Sequence, residues 1–150
     1  MAEDRRTYGG GCLCGAIRYR VAGELRPVVA CHCGQCRRTS GHHVAATAAR
    51  VEDLTIEGEA ELAWFASSAF AKRGFCRTCG SNLFWQGEGA PQISIMAGTL
   101  DDASDLKIAA HIFVGDKGDY YEIADGAPQH QDGEHAVWPR PWAERRSDQA

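Results

Sequence analysis

A chain of 150 residues with 44% hydrophobic and 24% charged residues has the size and balance of one ordinary globular domain with a real core. Sixteen basic against twenty acidic residues leave a formal charge of −4, which argues against nucleic acid or an anionic membrane as the main partner, since both need a basic face. No apolar run approaches the ~20 residues of a membrane span. The opening stretch MAEDRRTYGGG lacks the apolar region of a secretory signal, so the expected compartment is the cytoplasm, where thiols stay reduced.

Taken in chain order, the segments read as short strands. AIRYRVAG (16–23) alternates, with Ile17, Tyr19 and Val21 on one face and Arg18 and Arg20 on the other. Further strand runs are HVAATAARV (43–51), DLTIEG (53–58), ELAWFAS (61–67) and AFAKRGF (69–75). NLFWQ (82–86), PQISIMAGTL (91–100) and KIAAHIFV (107–114) complete the set. Gly, Asp or Pro punctuates most gaps. Helix signals are few: a turn after Cys33 reaching toward Ser40, and a short piece at 101–106 with Asp101 as its cap. Many short strands predict a mainly β fold, an antiparallel sandwich or barrel-like sheet with few short helices. The expected domain spans 8–126. Residues 127–150, polar and non-periodic, read as an extended C-terminal tail. Trp138 and Trp142 could dock on the body or on a second subunit, which makes a homodimer a candidate.

Seven cysteines in a reducing compartment read as metal ligands or redox groups rather than a disulfide framework. They fall into three groups: Cys12 and Cys14; Cys31, Cys33 and Cys36; Cys76 and Cys79. C-x-x-C followed by Gly80 is a zinc-knuckle spacing, and the glycine tolerates the positive φ of a tight turn. C-x-C needs a bend, which the flanking glycines of GGGCLCG ease. Seven divides into four plus three. A closed four-cysteine site is structural; three cysteines leave a position for water or substrate, the pattern of a working zinc. Spacing leaves two partitions open. Cys12 and Cys14 join Cys76 and Cys79, or they join Cys33 and Cys36 and strand Cys31; the first keeps each motif intact and is preferred. His42 or His43 could instead close the three-cysteine group, making both sites structural. His32, between two ligands, should point away, and His111 reads as a hydrogen-bonded core histidine.

These motifs carry a resemblance. GGCLCGAIRYR, CHCGQCRRTSG, KRGFCRTCGSNLFW and HIFVGDKGDYYEIADGAPQ resemble, in that order, successive motifs of the glutathione-dependent formaldehyde-activating enzyme family, which includes relatives of centromere protein V. The match runs from about residue 8 to residue 130. One departure is GDYYEI, with Asp119 and Tyr120 where the family often has Ala-Pro-Trp before Tyr-Glu-Ile. The resemblance implies a small antiparallel zinc-bound domain of the β-tent type with two Zn²⁺ per chain. It implies a structural zinc on Cys12, Cys14, Cys76 and Cys79 and a catalytic one on Cys31, Cys33 and Cys36. It also implies a carbon–sulfur lyase that joins glutathione and formaldehyde to S-(hydroxymethyl)glutathione.

Three thiolates on Zn²⁺ carry a net charge of −1, so a further thiolate is easier to hold beside cations. Arg37 and Arg38 follow Cys36, and Lys72 and Arg73 precede Cys76. Arg37, Arg38 and Arg73 are the candidate contacts for a thiol substrate's carboxylates. The leading expectation is an enzyme acting on a small thiol such as glutathione and a small aldehyde. The alternative is a non-catalytic zinc module, a glutathione carrier or a protein-interaction scaffold; a redox C-x-x-C enzyme is a further reading.

Overall fold

Alternation in β2 (Arg18–Ala22) becomes two faces: Tyr19 and Val21 are buried, Arg18 and Arg20 exposed. In the computed structural model, which describes residues 6–133, β2 lies between β1 (Thr7–Gly11) and β5 (Leu54–Glu57) in an antiparallel three-stranded sheet. A larger sheet is built from β3 (Val28–Cys31), β4 (Val44–Arg50), β6 (Leu62–Ser68) and β7 (Ala71–Cys76) with β8 (Asn82–Gly87), β9 (Gln92–Met96) and β10 (Ile108–Ile112). Its order is β10-β3-β4-β9-β8-β7-β6. The fold is mainly β, as the strand spacing predicts. Neighbours are antiparallel except β10, which runs parallel to β3. The described residues contain one α-helix, α1 (Gly34–Ser40), between β3 and β4. None of their helices is long and apolar enough to cross a membrane.

The two faces of the large sheet differ. One packs against the small sheet through Ile17, Val21, Leu83, Phe84, Ile93 and Ile95, all buried. Burying each such side chain contributes roughly 1.5–3 kcal/mol. The other face carries a second cluster, Cys36, Val44, Ala46 and Met96, beneath α1. Side chains paired across antiparallel strands point to the same face. That rule aligns Val29, Ala46 and Met96 in one row and Arg73, Trp85 and Ser94 in another.

Several expected boundaries move. The segment 101–106 is not helical: the Asp101 carboxylate is taken by Arg18. Asp102 Oδ1 accepts from the Ser104 N–H at 2.9 Å, a local turn that competes with a helix. The strand expected over 91–100 ends at Met96, because Ala97–Thr99 forms a 3-10 turn. There Thr99 Oγ1 donates to the Met96 carbonyl at 2.7 Å. The strand expected over 107–114 ends at Ile112, since Phe113 takes a left-handed φ of 55°. β1 and β3 escape sequence reading: one is mostly glycine, the other a four-residue apolar run. Beyond β10 the chain returns along it. His111 N–H donates to the Pro128 carbonyl at 2.8 Å and His130 N–H to the His111 carbonyl at 2.9 Å. Residues 127–133 of the expected tail are therefore held to the body, while Trp138 and Trp142 lie outside the described residues.

Gly10 and Gly58 are required by close approach. A Cβ on Gly10 would sit 2.3 Å from Tyr19 Oη and 2.5 Å from the Thr99 carbonyl oxygen. Gly58 has φ 84°, and its Cβ would meet the Ala16 carbonyl oxygen at 2.0 Å. Left-handed backbone costs a side chain about 1–2 kcal/mol before any clash. Gly58→Ala is therefore expected to lose at least ~2 kcal/mol, or about 4–8 °C in Tm for a chain of this size. A thermal melt checks it; an unchanged Tm would mean the β5 exit is not held against Ala16.

Candidate functional site

Cys12 and Cys14 sit in the β1–β2 turn, Cys76 ends β7, and Cys79 lies in the turn before β8. Their four sulfurs all lie within 4.8 Å of one another. Cys12 Sγ is 3.6 Å from Cys14 Sγ, and Cys14 Sγ is 3.8 Å from Cys76 Sγ. A tetrahedral ion with bonds near 2.3 Å sets its sulfurs about 3.8 Å apart, so the group fits zinc. Local backbone prepares it: Ile17 N–H donates to Cys12 Sγ at 3.2 Å, and Cys79 N–H to Cys76 Sγ at 3.4 Å. Gly80 turns the chain at φ 81°. The Ser81 hydroxyl, 3.2 Å from Cys79 Sγ, leads the hydrogen bonds that pull that thiol down to about 5. The cluster joins the small sheet to the large one.

Cys31, the last residue of β3, Cys33 and Cys36 form the second group, again with sulfurs within 4.8 Å. Cys33 caps α1, its Sγ accepting from Cys36 N–H at 3.4 Å, the same knuckle geometry as Cys76 and Cys79. Gly41, left-handed at φ 82°, closes the helix with its N–H on the Arg37 carbonyl. Hydrogen bonds from Cys31 and Cys36, with the N–H groups of Cys36 and Gln35 behind them, hold the Cys33 thiol far below its usual range. Sharing with Cys33 pushes Cys31 up. One of the three sulfurs, Cys33, is thus held toward the thiolate, the form that binds a cation. Among the described residues no histidine or carboxylate joins it. His42 and His43 instead pack on each other and on Tyr121.

These three cysteines line a pocket of about 440 Å³ on the free face of the large sheet, in the usual range for small-ligand sites. Val29, Val44, Met96, Trp85 and Arg73 are among its walls. Arg73 is 5% exposed; its Nη2 lies 3.2 Å from Gln35 Oε1 and 3.8 Å from Cys36 Sγ. It therefore serves the three-cysteine group, although in sequence it stands next to Cys76 of the other one. Lys72, its neighbour, points outward over the Trp64 ring at 4.2 Å. Arg37 and Arg38 on α1 are not among the described lining residues. Gln35, Trp85 and Phe113 do line it and were missed by sequence reading. Gln35, inside the cysteine motif, carried the one available signal.

His32 turns away from the sulfurs, as expected from its place between them. Its Nδ1 lies 2.5 Å from Tyr121 Oη and its Nε2 2.9 Å from His111 Nδ1. His111 Nε2 in turn lies 2.8 Å from Asp125 Oδ2. One proton arrangement satisfies the whole line: Tyr121 donates to His32, His32 to His111, and His111 to the carboxylate. Burial, reinforced by His43 and His111, holds His32 down to about 4 and so keeps it uncharged. The line ties the β3–α1 ligand loop to β10 and to the segment carrying Asp125.

The chain resembles known proteins in sequence and in fold. The model of the glutathione-dependent formaldehyde-activating enzyme family matches residues 7–116. An uncharacterized lyase of Schizosaccharomyces pombe is 30% identical over 119 residues, covering 79% of this chain and 86% of that protein. A crystal structure of a Rhodobacter sphaeroides protein aligns with TM-score 0.52 and 31% identity, covering 65% of this chain and 93% of that one. The chain belongs to the glutathione-dependent formaldehyde-activating enzyme family. Each of its two cysteine clusters can hold a metal ion.

Proposed function

We propose that this protein is a carbon–sulfur lyase catalysing the reversible addition of a thiol to an aldehyde, R–SH + R′–CHO to R–S–CH(OH)–R′. The S–C bond forms, the carbonyl becomes a hydroxyl, and the thiol proton ends on that oxygen. The observation that carries the reading is three sulfurs with no fourth protein ligand among the described residues, opening onto a pocket beside a buried arginine. Family membership supports glutathione and formaldehyde as a reactant pair. The lyase name of the fission-yeast relative supports the reaction class. Seven free thiols suit a reducing compartment such as the cytoplasm.

In this reading Cys31, Cys33 and Cys36 hold the catalytic zinc, and Cys12, Cys14, Cys76 and Cys79 a structural one. Zinc at the three-cysteine site supplies an exchangeable position that favours a thiolate and Lewis acidity toward a carbonyl oxygen. The chain supplies the rest. Arg73 offsets the negative charge that collects around Cys36, and the apolar walls keep water from the reacting atoms. Arg37 and Arg38 would reach only a carboxylate that extends past the pocket. Exchange NMR of glutathione with ¹³C-formaldehyde tests the proposal. Zinc-loaded protein is expected to speed interconversion at least about tenfold, and Cys36→Ser to abolish this while losing one zinc per chain. No acceleration by the zinc-loaded protein would leave a carrier or scaffold.

A further inference from the structure

The pocket beside the three cysteines is shaped for a hydrocarbon body, which neither glutathione nor formaldehyde has. Ten of its nineteen described lining residues are apolar and two are arginines. Both arginines already hold protein groups through Nη2. Arg26 Nη2 donates to the Ala46 carbonyl at 2.9 Å, and Arg73 Nη2 faces Gln35 and Cys36. Glutathione would bring two carboxylates and an ammonium, each needing a partner once out of water. Phe70, at the β6–β7 turn, lines the pocket yet is 70% exposed. An aromatic ring left in water at such a site gains when an apolar ligand covers it. Two polar atoms of lining residues, Arg73 Nε and Gln92 Oε1, are buried with no partner. One is a donor and one an acceptor, and each could be satisfied by a polar atom of a ligand.

We infer that the adduct handled at this site carries an apolar body, with R or R′ a hydrocarbon group about the size of a phenyl ring. The inference rests on the thiol–aldehyde chemistry proposed above and names its substrate class. The hydrocarbon lies on Val29, Val44, Met96, Trp85 and Phe70, and the new hydroxyl faces Arg73.

The test uses full-length, zinc-loaded protein and four reactant pairs: glutathione or phenylmethanethiol, each with formaldehyde or benzaldehyde. At least one pair with an apolar member is expected to show kcat/KM about tenfold or more above glutathione with formaldehyde, as burial of a ring allows. The pair that gains most tells whether the thiol or the aldehyde carries the body. Benzyl methyl sulfide, which cannot react, is expected to bind in calorimetry with a negative heat-capacity change. Phe70→Ser and Ala90→Leu, one removing a wall and one filling the space, should each cut the preference about threefold or more. Equal or better rates with glutathione and formaldehyde would overturn the inference and leave the proposed chemistry standing. Acceleration of none of the four pairs would remove both. A preference that emerges only after deletion of residues 134–150 would assign the pocket to the chain's own terminus and would also overturn it.

Discussion

Cys76→Ser is expected to unfold the protein, whereas Cys36→Ser is expected to leave it folded. Both remove one sulfur from a metal-binding group, so the difference must come from position. Cys76 is fully buried in the main core and lies between the two sheets, within reach of Cys14 from the β1–β2 turn. Losing a metal there removes the link that closes residue 12 onto residue 79. Structural zinc contributes ~10–16 kcal/mol in small domains, and whole proteins are stable by only ~5–15 kcal/mol. Among the described residues no other single interaction is of that size. Cys36 belongs to the smaller cluster under α1, on the sheet face away from that core. Its loss costs a seven-residue helix some anchoring but leaves the strands paired. Thermal unfolding followed by circular dichroism is the check. A Tm for Cys36→Ser within about 5 °C of the parent, with no cooperative transition for Cys76→Ser, is the expected pattern, given about 2–4 °C per kcal/mol at this size. Similar melts for the two variants would show that the four-cysteine group does not hold the sheets together.

The cysteine motifs were legible in sequence because ligand spacing is a local property. Two knuckles of identical geometry, at Cys33–Cys36 and Cys76–Cys79, follow from residues three apart and a nearby turn. The strand alternation of Tyr19 and Val21 was legible for the same reason. What could not be read was which side chains cross-strand pairing assembles. Arg73 stands three residues from Cys76, yet it sits beside Cys36, because β7 pairs with β8 and sets it in the Trp85 row facing the pocket. The line from Tyr121 through His32 and His111 to Asp125 joins residues 89 and 79 positions apart in sequence. It depends on β10 lying parallel to β3, a pairing no local pattern announces. The false helix at 101–106 has the opposite cause: a good capping residue was present, but a distant arginine claimed it.

Arg73→Met is expected to lower activity by about 10–100-fold with a much smaller effect on stability. The two effects differ in size because burial and catalysis want different things from this residue. A buried guanidinium loses its hydration, and Arg73 regains little: Nη2 reaches Gln35 and Cys36, while Nε has no partner. Removing the guanidinium relieves that desolvation but also strips the cysteine group of its neighbouring cation, and taking one member from a buried charge pair is destabilising, so the two stability effects oppose. Methionine is long and adaptable enough to fill the space. Activity needs the charge itself. In the proposed reaction three thiolates concentrate negative charge at the pocket wall, and the incoming thiol adds to it. A charge-assisted contact of this kind is worth about 1.5–3 kcal/mol, which converts to the stated loss in rate. Arg73→Lys separates charge from fork geometry: it should recover part of the activity without restoring the contact to Gln35. Thiol–aldehyde exchange rates and melts on the same preparations decide the matter. A variant that melts early and is inactive would make Arg73 a structural residue; one that stays fully active would place the compensating charge elsewhere.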